Sequence, residues 1–439
     1  MNLVSSAVAR LLAALLVVGA VPFAQAYSVL SHEEVVDMAW TVRIVPLLNQ
    51  RYPGLTQAQL REAHAYAYGG CVIQDIGYYP FGDKQFSDLL HYTRTGDFVA
   101  ALLRDATTPD EFAFALGALA HYFGDTLGHP VVNVVTGEEY PALRSRFGRI
   151  VTYGDNQTAH LRTEFGFDVV EVAHGQYNQD NYRDFIGFQV AENLLGKAFE
   201  ETYGLPIDAV LKHQDLAVAT YRYSVSTLIP KMTKVALASY RGQIEGATPG
   251  FEKAKFIYRM RRSEFERQYG KQYARPNFWT RLFAALLSII PKVGPFRALG
   301  LHLPNSDEQA QYLTSINHAE DAYRAAIASI TDGSAAALPE LDFDTGNPTT
   351  EGEYALCDKT YAELVEQLAG DAKAQVTPAL LADINSFYAN PSAQDASKAK
   401  PRDWARVQAA LGKLRQKQPL PAPTATADLL RQPAAPAMR

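Results

Sequence analysis

The sequence predicts an all-α protein, and three observations support this fold class. Long segments rich in Ala, Leu, Glu, Gln and Arg carry apolar residues three and four positions apart, the spacing that places them on one face of a helix. Ser31 and Thr108 precede such segments as helix caps, and Pro109 suits a first helical turn. Alternating runs of β-branched residues are nearly absent, which argues against a sheet-based fold.

The helical segments follow one another along most of the chain. The clearest of them are Ser31 to Leu48, Thr56 to Ala67, Thr108 to Leu127 and Pro206 to Ser226. Thr331 to Gly352 mixes Gly, Pro, Ser and acidic residues, which predicts a long loop or linker. We therefore expect a first helical domain at 27–226, an additional helical region at 227–414 and a disordered Pro/Ala-rich tail at 415–439. Whether the additional region is an independent domain is left open by the sequence.

Residues 1–26 have the pattern of a secretory signal peptide. Arg10 is followed by an uncharged apolar run from Leu11 to about Phe23 and by an A-x-A cleavage site that ends at Ala26. The run is shorter than the roughly 20 residues of a membrane-spanning helix, although an uncleaved anchor is the alternative. Cleavage makes Tyr27 the new N-terminus, and we expect the mature protein in the periplasm or outside the cell.

Composition excludes little else. The formal net charge of −6 does not favour a protein that coats nucleic acid. The chain has two cysteines, Cys71 and Cys357, which are compatible with an oxidising compartment. Nothing in the sequence shows that they meet in space, so a disulfide is neither predicted nor excluded.

The strongest chemical motif is His121-x-x-x-Asp125-x-x-x-His129-Pro130. Residues four and eight positions apart lie along one stripe of a helix, so the three side chains project from the same side. The ten residues before the motif, EFAFALGALA, are almost wholly apolar, which predicts that the stripe is buried. Buried imidazole and carboxylate groups need partners, and a metal cation supplies them.

Further candidate metal ligands, each with weaker support, lie on either side of this motif in the sequence. His160 and Glu164 stand four residues apart, as two ligands of one ion can, but such pairs also arise by chance. Asp75 and His91 lie among glycines and aromatics, and the alternative for them is a helix cap and a core histidine. His32 lies close behind Tyr27, whose freed α-amino group and carbonyl could chelate a metal.

In these residues the sequence resembles the zinc-dependent phospholipase C family of bacteria and, more distantly, the single-strand-specific zinc nucleases that share its fold. The order of ligands is the characteristic feature: an N-terminal residue, then His, Asp, His, HxxxD with a further His, and HxxxE. The resemblance implies a multi-helix bundle that holds three zinc ions. It assigns the first ion to Tyr27, His32 and Asp125, the second to Asp75, His91, His121 and Asp125, and the third to His129, His160 and Glu164. It also implies that Asp75 orients or deprotonates the nucleophile.

Some features depart from the family's pattern. The usual first residue is tryptophan, where this chain has Tyr27. His129 follows HxxxD more closely than in the best-known members, and its separation from His160 is long, so the third zinc site is the least certain. The second half of the chain has no counterpart in the minimal enzyme.

The substrate is predicted less sharply than the metal site. Between Phe251 and Arg281 the chain carries nine basic and three acidic residues among aromatics, followed by LFAALLSII. This mixture suits a membrane surface with anionic headgroups, single-stranded nucleic acid, or a core helix with a solvated basic face. The resemblance favours phospholipid as substrate, with nucleic acid second. A non-catalytic zinc-binding interaction protein is the alternative of another class, although no protein partner is evident.

Overall fold

A computed structural model describes residues 29–174, 185, 187–225, 304–389 and 401–417. Within these ranges every regular element is a helix, and the one β-bridge is the isolated pair Leu341 and Pro348, so the predicted all-α class is confirmed. No helix in the described ranges has the length and apolar character needed to cross a membrane. The predicted signal peptide, Tyr27, the basic-aromatic segment and most of the predicted tail lie outside the described residues.

The helices of the described ranges, numbered in chain order, have the following bounds: α1 Val29–Ala39, α2 Val45–Arg51, α3 Gln57–Val72, α4 Lys84–Tyr92, α5 Thr95–Asp105, α6 Pro109–Glu139, α7 Pro141–Phe147, α8 Gln157–His174, α9 Glu192–Tyr203, α10 Ile207–Val210, α11 Gln214–Tyr223, α12 Ser306–Asp332, α13 Ala355–Gly370, α14 Pro378–Phe387 and α15 Pro401–Leu414. A π-helical turn, Trp40–Ile44, joins α1 to α2, and a 3-10 helix, Ile73–Tyr78, follows α3.

The central helix α6 is longer than the sequence pattern predicts. It begins with a reciprocal cap in which the Thr108 hydroxyl accepts from the Glu111 N–H while the Glu111 side chain accepts from the Thr108 N–H. It continues past Leu127 and through Pro130, although proline has no N–H to donate to the Thr126 carbonyl. The predicted helix from Pro206 to Ser226 is in turn two helices, α10 and α11, separated by an irregular turn.

Two glycines let α3 and α6 pack backbone to backbone at the centre of the fold. A Cβ atom added to Gly117 would lie 1.9 Å from the carbonyl oxygen of Ala67, and one added to Gly70 would lie 1.9 Å from that of Phe114. Only glycine permits so close an approach. The two helices therefore hold the residues that follow Gly70 and Gly117, Cys71 and His121 among them, in a narrow space.

Described parts of the second half belong to the same hydrophobic core as the first half. Helix α12 packs along α6, and the Tyr323 hydroxyl donates a hydrogen bond of 2.9 Å to the Leu116 carbonyl. Tyr323 and Ile327 are buried in the core cluster that also contains Leu116. This region of the second half is thus packed against the helix that carries the metal motif.

The segment between α12 and α13 is a loop, as its composition predicts, but it is packed rather than extended away from the fold. Glu340 accepts hydrogen bonds of 2.9 Å from the N–H groups of Gly96 and Asp97 and so caps the start of α5. Phe343 is fully buried and Asp344 is nearly so. Both cysteines are buried and unbridged.

Candidate metal centre

Helix α6 supplies the middle of the site. His121, Asp125 and His129 lie one turn apart on its buried side, and each is 2 % exposed or less. Nδ1 of His121 faces the Cys71 carbonyl oxygen at 2.9 Å, which turns its Nε2 toward Asp125 Oδ2, also at 2.9 Å. The close packing of α3 on α6 therefore orients the first histidine of the motif.

Three other elements bring side chains to Asp125. Helix α1 places Nε2 of His32 3.3 Å from Oδ1 of Asp125. Helix α4 places Nε2 of His91 3.5 Å from Oδ2 of Asp125 and 3.3 Å from Oδ1 of Asp75, which lies on the 3-10 helix after α3. Asp125 is completely buried and has imidazole groups near both oxygens, so it can bridge two ions.

A further group forms around the carboxylate of Glu164 on α8. Nε2 of His160 lies 2.8 Å and Nε2 of His129 lies 3.3 Å from Oε1 of Glu164. His129 Nε2 is also 3.6 Å from Asp125 Oδ1, so this group adjoins the bridging aspartate. The long sequence separation between His129 and His160 thus does not keep the two side chains apart.

Eight of the nine predicted ligands come together in three neighbouring groups, two of which share His121. The ninth, Tyr27, lies outside the described residues. The ligand atoms of each group lie within 4.8 Å of one another. The groups are His32, His121 and Asp125; Asp75, His91 and His121; and His129, His160 and Glu164. The amino end of α1 is anchored beside the third group, because the Leu30 N–H donates to Asp168 of α8 at 3.1 Å.

The donor atoms of these groups fit a metal ion. Nε2 of His91, Nε2 of His121 and both carboxylate oxygens of Glu164 are buried and make no hydrogen bond within the described part of the chain. A buried polar atom without a partner costs about 1–3 kcal/mol, so such a set is unfavourable unless a cation binds it. Imidazole nitrogen and carboxylate oxygen together are typical zinc ligands.

The electrostatics of the centre favour an ionised carboxylate at its middle. Burial raises the pKa of Asp125, but the charges of His121, His129 and His32 hold that pKa well below its usual range. Burial lowers the pKa of His91, whereas the neighbouring carboxylates of Asp125 and Asp75 raise that pKa to about 10. Protons on these imidazoles compete with a metal for the same nitrogen atoms, so metal affinity depends on pH.

Phe343 and Asp344 of the loop after α12 also contact the centre, although no sequence motif indicates them. The Phe343 ring lies with its centroid 5.1 Å from that of His91 and 5.8 Å from that of His121. Asp344 Oδ1 lies 3.4 Å from Nδ1 of His129. Burial raises the pKa of Asp344, but the nearby imidazole of His129 holds that pKa below its usual value. The only available signal was the alternation of acidic and apolar residues in LDFDTG.

Comparison with known proteins agrees with this geometry. The sequence model of the family described as zinc dependent phospholipase C matches residues 31–212. This match confirms the resemblance to the zinc-dependent phospholipase C family that the motifs indicate. All eight described ligand candidates lie within the matched segment. Searches of curated proteins and of solved structures found no match.

Proposed function

We propose that this protein is an exported zinc-dependent phospholipase C that hydrolyses the phosphodiester bond of phospholipids. In this reaction the products are diacylglycerol and a phosphorylated headgroup. We further propose three zinc ions, held by the three groups of the centre, with the amine and carbonyl of Tyr27 completing the first group after cleavage near Ala26. Export and cleavage rest on the sequence pattern of residues 1–26 alone.

The observation that carries the proposal is the convergence of the three groups within the segment that matches the family. Zinc bound at such groups supplies positive charge that acidifies a water molecule and stabilises charge developing on a phosphoryl group. Three divalent ions carry more positive charge than the carboxylates of Asp75, Asp125 and Glu164 offset. The centre would therefore attract an anionic phosphodiester.

The protein side chains around the ions have separate tasks in this proposal. Asp125 presents Oδ1 to His129 and Oδ2 to His91, which belong to different ligand groups, so its buried carboxylate would lie between neighbouring ions. Asp75 is our candidate for the group that orients the attacking water or accepts its proton. Its Oδ1 lies 3.3 Å from Nε2 of His91.

The first experiment measures zinc content and hydrolysis on one preparation of mature protein. We expect about three zinc ions per chain and hydrolysis of a choline phospholipid that is lost on chelation and restored by zinc. Hydrolysis of single-stranded DNA in place of phospholipid would transfer the assignment to a nuclease. One tightly bound ion with no hydrolysis of either substrate would instead indicate a non-catalytic zinc-binding protein.

The role of Asp75 is tested by Asp75→Asn, with Asp37→Asn as the matched control. Asp37 forms a similar carboxylate–imidazole pair with His64, 3.0 Å apart, outside the three ligand groups. We expect Asp75→Asn to lower turnover by at least about 100-fold, the size of a lost general base, and Asp37→Asn to leave turnover within a few-fold of wild type. If Asp75→Asn kept both its zinc and its turnover, the assigned role would be wrong.

A further inference from the structure

The loop at 341–348 lies outside the segment that matches the family, yet it is docked against the metal centre. The Phe343 N–H donates a hydrogen bond of 3.0 Å to the His91 carbonyl oxygen. Gly346 has a φ of +72°, and a Cβ added there would lie 2.4 Å from the carbonyl oxygen of Thr126. Pro130 has no N–H to donate to that carbonyl, so the loop packs against a carbonyl that lacks its usual donor four residues on.

Asp344 is held in this loop from three directions. Its Oδ2 accepts hydrogen bonds from the hydroxyls of Tyr92, at 3.0 Å, and Tyr354, at 2.5 Å. Its backbone carbonyl accepts from Nδ2 of Asn133, at 2.6 Å, one turn beyond His129 on α6. These contacts leave Oδ1 facing the imidazole of His129, 3.4 Å from Nδ1.

The two nitrogens of His129 face different partners. Nε2 is directed at Glu164 and Asp125, within the third ligand group and beside the bridging carboxylate, whereas Nδ1 is directed at Asp344. When a histidine binds a metal through one nitrogen, a carboxylate at the other fixes the tautomer and the ring orientation and makes the imidazole a stronger ligand. The corresponding Nδ1 atoms of His91 and His121 face backbone carbonyls, at 2.8 and 2.9 Å.

We propose that Asp344 is a positioning residue of the metal centre, which holds the imidazole of His129 with Nε2 directed at the ion of the third ligand group. This inference rests on the proposed function, since it takes that group to bind zinc. Its consequence is that the metal centre is not confined to the matched segment at 31–212: the second half of the chain supplies part of the surroundings of the third ion.

The test is Asp344→Asn in the full mature chain, which removes the charge and keeps the shape. Zinc affinity is measured by competition with a chelator, and the three sites are distinguished by cadmium-113 NMR of the cadmium-substituted protein. We expect one of three sites to bind about 10- to 100-fold more weakly, as is typical when the outer partner of a metal ligand is lost. Only the resonance of that site should shift or disappear.

Asp342→Asn is the matched control, because Asp342 is a fully buried aspartate of the same loop. Its carboxylate accepts from the Thr345 N–H, at 2.7 Å, and not from a metal-ligand candidate. We expect this variant to retain the wild-type metal spectrum. Far-ultraviolet circular dichroism and the urea midpoint of both variants establish that the fold is kept.

The possible outcomes separate the two proposals. Three resonances and unchanged zinc affinity in Asp344→Asn would overturn the role of Asp344, as would an equal loss at all three sites in both variants. A wild-type chain that binds three ions but hydrolyses no phosphodiester would overturn the proposed function, and the metal measurements would still decide on Asp344. A wild-type chain that binds no metal would overturn both.

Discussion

Gly117→Ala is expected to destabilise the fold and to weaken the two groups of the metal centre that share His121. The new Cβ would lie 1.9 Å from the Ala67 carbonyl oxygen and 2.9 Å from the Cys71 nitrogen, both of them backbone atoms of α3. Ordinary van der Waals contact begins near 3.4 Å, so the helices must separate by about 1.5 Å at this point. Overpacking of this kind costs about 1–3 kcal/mol and occasionally more, and we expect the upper end because no side chain can rotate away.

The separation also reaches the centre. The Cys71 carbonyl accepts from Nδ1 of His121, so a shift of α3 changes the orientation of that imidazole. We therefore expect weaker zinc binding by the two groups that contain His121, and little change in the group of His129, His160 and Glu164, which does not involve α3.

Urea unfolding followed by circular dichroism measures the first effect, and chelator competition measures the second. Gly196→Ala is the control, because an added Cβ there meets Ile207 Cγ2 at 3.7 Å, an ordinary contact. In the interior of α9 this change should leave stability unchanged or raise it by up to about 1 kcal/mol. A Gly117→Ala protein with wild-type midpoint and wild-type zinc affinity would show that the close approach of α3 and α6 is not as the structure has it.

Three further predictions follow from the same structure. Asp125→Asn should lose more than one zinc ion per chain, measured by elemental analysis, because the carboxylate faces imidazoles of different groups. Hydrolysis should fall by at least about 100-fold. Loss of a single ion would contradict the bridging position of Asp125. Removal of zinc by a chelator should lower the thermal midpoint, because a metal ion at a thousandfold excess over its Kd stabilises the folded state by about 4 kcal/mol per site. An unchanged midpoint would argue against ions that bind only the folded chain. Glu139 is buried, which raises the pKa of its carboxyl from 4.5 to about 8, so the folded chain keeps a proton that the unfolded chain loses. The contribution of Glu139 to the free energy of unfolding should therefore fall as pH rises from about 4.5 to 8, by up to about 1.4 kcal/mol per pH unit. Urea titrations of Glu139→Gln should show a smaller dependence of stability on pH. Equal pH dependence in the two proteins would refute this prediction.

The helices, and the ligand spacings within one helix, could be predicted because both depend on residues that are close together in the sequence. A period of 3.6 residues indicates helices, and spacings of four residues put His121, Asp125 and His129 on one side of α6 and pair His160 with Glu164. The order of these motifs also indicates the family. The sequence pattern predicts the end of α6 too early, at Leu127. The helix continues because burial of the following turns, in which Val132 and Val135 are fully buried, outweighs the local penalty of Pro130.

The contacts between distant residues could not be read from the sequence. A loop rich in Gly, Pro and acidic residues has the composition of a linker. Its local sequence does not distinguish Asp344, whose carboxylate faces Nδ1 of His129, from a solvent-exposed aspartate. The helical periodicity of α3 and α6 likewise does not reveal that Gly70 and Gly117 bring the two backbones together. Such contacts depend on the packing of the whole core, in which many weak apolar contacts together determine which surfaces meet. Pattern and spacing therefore sufficed for the helices and for the types of candidate ligand, whereas the positions of these side chains relative to one another are a property of the packed chain.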